Sequence, residues 1–287
     1  MIAKLLTDPA INFWVTNRIP RRLATRLMGW LSRVEHPTLC SLSLALWQRF
    51  SGDLHLHEAK HSTFNSIHDC FVRELRDGAR PIARDPQTLV SPCDGIVGAC
   101  GRIDGHELIQ AKGHRYTLDD LLIDPRLVLR HWHGSYVTLR LTSTMYHRFH
   151  APDAGAIEEV IYVAGDVWNV NPPALERVSG LFCANERAIL PLRLGSGGSV
   201  TLVPVAAVLV ASIHLNFLDV LLNLRYRGPN RLFCSTAFER GEELGYFHHG
   251  STIIVLTSAD VVLCDHVREG TIVRMGERLL RRMTSTG

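Results

Sequence analysis

A serine after a glycine, a pair of histidines and an aspartate in a turn are the residues of this 287-residue chain best suited to chemistry. Gly250-Ser251-Thr252 precedes the apolar run Ile253-Ile254-Val255-Leu256. A hydrolase nucleophile sits in G-x-S-x-G between a strand and a helix. Here the serine follows glycine directly and opens a strand, so the nucleophile-elbow reading fails. A different step fits. The Ser251 hydroxyl can attack the carbonyl of Gly250, because glycine has no side chain to obstruct approach and tolerates strained dihedrals. That step needs a general base and a group to orient it. His147 and His150, in Tyr146-His147-Arg148-Phe149-His150-Ala151-Pro152, and Asp94, in Ser91-Pro92-Cys93-Asp94-Gly95, are of the required types. Each also has a plainer reading as a turn residue or a packed histidine.

His57-Glu58-Ala59-Lys60-His61 matches H-E-x-x-H, which binds zinc when a helix brings the two imidazoles onto one face. No glycine-marked third histidine follows, and the chain holds 15 histidines, so the motif reads as a decoy and no metal is expected. Seven cysteines without a C-x-x-C pair point to reduced thiols, not to a disulfide scaffold. High apolar content with a net charge of only +3 excludes a mainly disordered chain.

The elements that must position these residues change character along the chain. After residue 62, short runs of Val, Ile and Leu alternate with turn residues, predicting strands over Thr88–Ser91, Gly95–Cys100, Tyr136–Leu141, Ala156–Val163, Val200–Ile213, Ser251–Thr257, Asp260–Cys264 and Thr271–Met275. Helices are expected over Phe64–Arg76, Leu118–Leu122 after a Thr117 cap, and Pro173–Val178. Residues 194–218 lack charged side chains. However, the stretch opens on Gly195-Ser196-Gly197-Gly198-Ser199 and contains Pro204, so buried strands are expected in place of a span of roughly 20 residues. Asp8-Pro9 interrupts the only stretch resembling a secretory signal. The expected class is α+β, a strand-rich domain over 63–287 after a helical segment over 1–62.

Charge concentrates in that first segment. Residues 1–50 carry Lys4, Arg18, Arg21, Arg22, Arg26, Arg33 and Arg49 against Asp8 and Glu35, a net of +5, so the remainder nets −2. Leu23, Leu27, Trp30, Leu31 and Val34 recur at helical spacing, and Arg22, Arg26 and Arg33 fall largely outside that stripe. A basic amphipathic helix with tryptophans suits the plane of an anionic bilayer surface. The alternative is a helix packed on the protein's own core with a solvated basic face.

In combination these stretches resemble the bacterial, membrane-associated, pyruvoyl-dependent phosphatidylserine decarboxylases. The resemblance runs from about Thr63 to the C-terminus. It includes Thr63-Phe64-Asn65, Phe71-Val72-Arg73, Arg80-Pro81-Ile82, Ser91 to Gly95, Gln110-Ala111-Lys112-Gly113-His114 and Tyr146 to His150. Tyr162-Val163-Ala164-Gly165-Asp166, Asn185-Glu186-Arg187, Gly241-Glu242-Glu243-Leu244-Gly245 and Gly250-Ser251-Thr252 complete the series.

The resemblance implies that Asp94, His150 and Ser251 form a self-cleavage triad: His150 takes the serine proton and Asp94 orients the imidazole. Attack on Gly250 would give an ester, then a dehydroalanine, then a pyruvoyl cofactor at position 251, leaving a β chain of residues 1–250 and an α chain of residues 251–287. A Schiff base between that ketone and phosphatidylserine would release carbon dioxide and yield phosphatidylethanolamine, with His147 linked to the decarboxylation step. The resemblance also implies a peripheral enzyme on the cytoplasmic side of the cell membrane and a homodimer of the processed unit, with no nucleic-acid partner. Four positions depart from the family pattern: Met145 replaces an acidic residue, His249 an aliphatic one, and Ala206 and Ala207 stand where glycine is common. The residues themselves leave open a pyruvoyl decarboxylase of a soluble amino acid, a Ser–His–Asp hydrolase with intact Ser251, and a non-catalytic membrane-binding module.

Overall fold

The run Ile253 to Leu256 has no polar alternation, which requires a strand buried on both faces. A computed structural model describes residues 8–17, 20–111, 114–209, 212–248 and 251–283, and it places Ser251–Thr257 inside an eight-stranded antiparallel sheet. Lys4, Arg18, Lys112, Gly113, His249 and Gly250 lie outside the described residues. The strand order is Arg231–Phe238, Gly155–Val163, Arg187–Leu194, Ser199–Val205, Ser251–Thr257, Ser135–Leu141, Gly95–Arg102 and Ile272–Val273.

Ile253 and Val255 pack on one face of this sheet with Leu139, Leu190 and Leu202, against Phe149, Ile213, Leu215 and Phe247. Those four belong to a second sheet, ordered Val220–Asn223, Ser212–Leu215, Glu243–Phe247, Arg148–His150. Ile254 and Leu256 face the other way, onto Leu118, Leu121, Leu122, Leu127 and Phe182 of short helices. Each such side chain contributes about 1.5–3 kcal/mol by leaving water. The fold is α+β.

The strands expected at 88–91, 95–100, 136–141, 156–163 and 251–257 form within about two residues of their expected ends, and Leu118–Leu122 is a helix capped by the Thr117 hydroxyl. Two expectations need correction. The apolar stretch 200–213 is two strands, because Ser199–Val205 joins the large sheet and Ser212–Leu215 joins the small one facing it. The helix expected over 64–76 spans only Ile67–Phe71. Beyond it the chain extends so that Leu75 pairs with Ala59, while the buried Arg73 guanidinium donates to the carbonyls of Cys70, Leu54 and Thr144.

Among the described residues, three α-helices lie ahead of Ile67–Phe71 and the strands: Pro9–Asn17, Arg21–Leu31 and Pro37–Ser51. Their polar side chains tie them to the strand core. Arg21 pairs with Asp166 at 2.6 Å and lies over the Trp168 ring, and the Thr25 hydroxyl accepts the Leu209 N–H. Their apolar side chains largely do the opposite. Leu23, Leu27, Trp30 and Leu31 are all more than half exposed, so the stripe is not packed on the protein's own core. No described helix is long and apolar enough to cross a membrane.

Candidate active site

His150 ends the short strand Arg148–His150, and its own N–H donates to the Pro92 carbonyl at 2.8 Å. The ring is buried and held at both nitrogens: Nδ1 lies 2.9 Å from the Gly241 carbonyl and Nε2 lies 3.0 Å from the Tyr146 hydroxyl. A carbonyl only accepts, so Nδ1 carries the proton and Nε2 is the basic nitrogen. Burial lowers the His150 pKa, against the opposing pull of the Gly241 carbonyl and of nearby Glu243 and Asp94. Gly241 suits its place for a local reason. Its φ of +80° is in the left-handed region, and a Cβ there would meet Ile82 Cδ1 at 2.2 Å.

Asp94 is buried nearby but does not hold the imidazole. Its carboxylate accepts from Arg80 Nε at 2.9 Å, Arg80 Nη2 at 2.6 Å and the Met275 N–H at 2.9 Å. A permanently charged, bidentate guanidinium outcompetes a neutral imidazole for a carboxylate, and the Gly241 carbonyl takes the orienting position instead. Arg80 also binds Glu58 at 2.8 Å, and Arg274 reaches the other Glu58 oxygen at 3.2 Å. Burial raises the Glu58 pKa, but the Arg80 and Arg274 charges outweigh it and the net shift is downward. Asp94, Arg80, Glu58, Arg274, Met145 and Tyr146 line a cavity of about 280 Å³. Met145, where the family pattern has an acidic residue, lines the same cavity as Asp94.

Ser251 is the first residue of the central strand, registered against Leu141 on one neighbour, and Thr252 is registered against Arg140 and Val205. Leu141 and Arg140 line a second, largely apolar cavity of about 590 Å³, together with Met28, Trp47, Ile67 and Phe71 from the helices, Val170 and Leu209 from the core, and the polar Asn169 and Asn171. His147 is buried behind its wall, with its ring 4.0 Å from that of Phe71, which stacks on Trp47.

The H-E-x-x-H stretch makes no helical zinc site. Leu56–Glu58 is a single 3-10 turn, Ala59 is extended, and Glu58 is committed to two arginines. Among the described residues, Asp53, His55 and His57 bring potential ligand atoms within 4.8 Å of one another, all of them exposed. Sequence reasoning missed the direct partners of the site: Arg80, Tyr146 and the Gly241 carbonyl. Arg80-Pro81-Ile82 and Gly241 to Gly245 stood out only as stretches of resemblance, which pointed to the segments and not to the bonds.

The largely apolar cavity beside the opening of the central strand is suited to a substrate with long hydrocarbon parts. The family model for phosphatidylserine decarboxylase matches residues 67–281. The phosphatidylserine decarboxylase proenzyme of Halorhodospira halophila is 40% identical over 92% of this chain and 91% of its own length. That of Haemophilus influenzae is 34% identical over 91% and 92%, and that of Sodalis glossinidius 33% over 93% and 94%. The chain belongs to the phosphatidylserine decarboxylase family.

Proposed function

We propose that the chain is a proenzyme that cuts itself between Gly250 and Ser251, and that it decarboxylates phosphatidylserine with a pyruvoyl group formed at position 251. The observation that carries this reading is the register of Ser251: it starts the central strand next to Leu141, at the wall of the 590 Å³ apolar cavity. The residues present fit such a group, because position 251 adjoins space for acyl chains while Thr252 to Leu256 behind it are buried. In the cleavage step the Ser251 oxygen bonds to the Gly250 carbonyl carbon as that carbon's bond to the Ser251 nitrogen breaks; elimination of the Gly250 carboxylate and hydrolysis with loss of ammonia then complete the pyruvoyl group. His150 Nε2 receives the serine proton, replacing the Tyr146 hydroxyl as its partner, and Asp94 acts as a fixed charge that favours the protonated ring. The pyruvoyl group supplies the electron sink for loss of carbon dioxide. His147 is assigned the protonation that completes phosphatidylethanolamine.

The α and β chains remain together because strand Ser251–Thr257 is hydrogen-bonded on both sides to strands of residues 1–250. The exposed apolar residues between Trp14 and Phe50 support in-plane docking on an anionic bilayer, on the cytoplasmic side of the cell membrane. A homodimer of the processed unit accords with the same reading. The decisive measurement is intact mass under denaturing conditions. Two chains are expected, the smaller starting with a carbonyl-reactive group, and Ser251→Ala should stay whole and release no carbon dioxide. A single chain with an ordinary serine at 251 would sink the reading and favour a hydrolase.

A further inference from the structure

Arg140, half-buried at the end of its strand, differs from the other arginines held against the core. Arg73 donates to three backbone carbonyls and Arg187 to four, and Arg80 is held by two carboxylates. Among the described residues, Arg140 has no hydrogen-bond or ion-pair partner, and no Asp or Glu lines the cavity that it enters. Burial without a counter-charge lowers its pKa, and desolvation is the sole cause. A half-buried cation facing a largely apolar cavity is stabilised by an anion that joins it. Within this fold no described group does so.

We propose that Arg140 binds the phosphodiester of the phospholipid headgroup. This rests on position 251 being the reacting centre. Leu141 is the register partner of Ser251, and Arg140, next along the same strand, is the partner of Thr252, so the Arg140 Cα lies roughly 6 Å from the reacting position; its side chain leaves the opposite face of the sheet from that of Leu141 and reaches the cavity that both residues line. In phosphatidylserine the phosphorus and the amine nitrogen are four bonds apart, so an amine held at position 251 leaves the phosphate within reach of a long arginine side chain. The headgroup has a second anion, the carboxylate, but a guanidinium on it would stabilise the ground state and oppose its departure as neutral carbon dioxide. The phosphodiester keeps its charge throughout the reaction. Pairing Arg140 with it stabilises substrate and transition state alike and excludes free serine, which has no phosphate.

Two measurements test this, on Arg140→Gln and Arg140→Lys. The first is the kinetics of carbon dioxide release from soluble dihexanoyl phosphatidylserine. Loss of a charge-assisted hydrogen bond should raise KM about ten- to a hundred-fold in Arg140→Gln, with kcat little changed and two chains still formed, and Arg140→Lys should recover part of the loss. The second is calorimetric binding of dihexanoyl phosphatidylethanolamine, which has the phosphate but no carboxylate, to protein carrying Ser251→Ala. Its Kd should rise by a similar factor when Arg140→Gln is added. This readout requires no maturation, so Arg140-dependent binding with no turnover by the wild-type protein would overturn the decarboxylation reading and leave the phosphate assignment standing. The assignment is overturned by an unchanged Kd, by no binding to the Ser251→Ala protein, or by a fall in kcat at constant KM. It is also overturned if both Arg140 variants fail to form two chains, since Arg140 would then belong to maturation.

Discussion

The N-terminal helices and the strand core use apolar residues in opposite ways. In the core, Leu139, Leu190, Leu202, Ile253 and Val255 are inaccessible to solvent, and Arg73, Arg80 and Arg187 are paired with opposite charges or carbonyls. In the helices, Trp30 is 68% exposed and Phe50 78%, while Arg21 and Thr25 turn inward to bond the core. The helices are attached through polar contacts and leave their apolar stripe outside. An arrangement that costs solubility in water is stabilising at a bilayer surface, and it surrounds a cavity whose walls come from both regions. The difference teaches that hydrophobic periodicity locates a helix but not the side it buries.

The comparison can be broken most severely at Arg80, which joins Glu58 of the N-terminal segment to Asp94 of the core. Arg80→Ala leaves two buried carboxylates without their shared cation and should lower stability by about 3–5 kcal/mol, measured by urea unfolding. A smaller effect is expected from acid. The buried His131 ring has its pKa pushed down to about 4 by desolvation, from an ordinary value of 6.5. The unfolded chain therefore takes up the proton first, so stability is complete above pH 6.5 and is lost as pH falls from there towards 4. Between pH 7 and 5 that loss should be roughly 2 kcal/mol, and His131→Gln should flatten the slope.

The lowered His150 pKa makes a kinetic counterpart. Self-cleavage needs the neutral ring, so its rate should hold below pH 6.5 and fall only in more acid buffer, while His150→Ala should not cleave. The His249 side of the site is separable. His249→Leu should cleave with the same pH profile if His150 alone takes the proton. The smallest stability change should come from the helices. Leu27→Ser with Trp30→Ser should shift folding stability by no more than about 0.5 kcal/mol, as both side chains are exposed. The same pair should weaken binding to anionic vesicles severalfold; unchanged vesicle binding would refute the bilayer reading of that stripe. Replacing Arg22 and Arg26, which are exposed, should reduce the salt dependence of binding. Arg21 should matter less there, because Asp166 already holds it.

Much of this arrangement was legible in the sequence where local rules act alone. Gly250 and the unbroken apolar run mark the strand from Ser251, and Thr117 marks its helix by capping. What escaped depends on contacts between distant segments. The break after Val205 lies inside a continuous apolar stretch, because strands of two facing sheets share one core and so share one composition. The helix from Ile67 stops early because extended residues beyond it pair with Ala59. At the site, side-chain types pointed to His150 and Asp94, but the atom orienting His150 is a backbone carbonyl, to which no residue type points.

The position of the Ser251–Thr257 strand fixes how reversible a cut before it can be. A nick at the edge of a fold would release a peptide; here the shorter fragment would be threaded through the middle of the sheet, because Ile272–Val273 and Arg278–Arg282, further along it, also pair with strands from residues 1–250. Separation requires the sheet itself to come apart, so fragment exchange between molecules should be as slow as global unfolding. Once denatured, the two pieces lose the single-chain connectivity that guided their first assembly, and folding becomes bimolecular. A protein cut there would have one opportunity to fold, before cleavage, and its working lifetime would thereafter be set by an unfolding rate and not by an equilibrium.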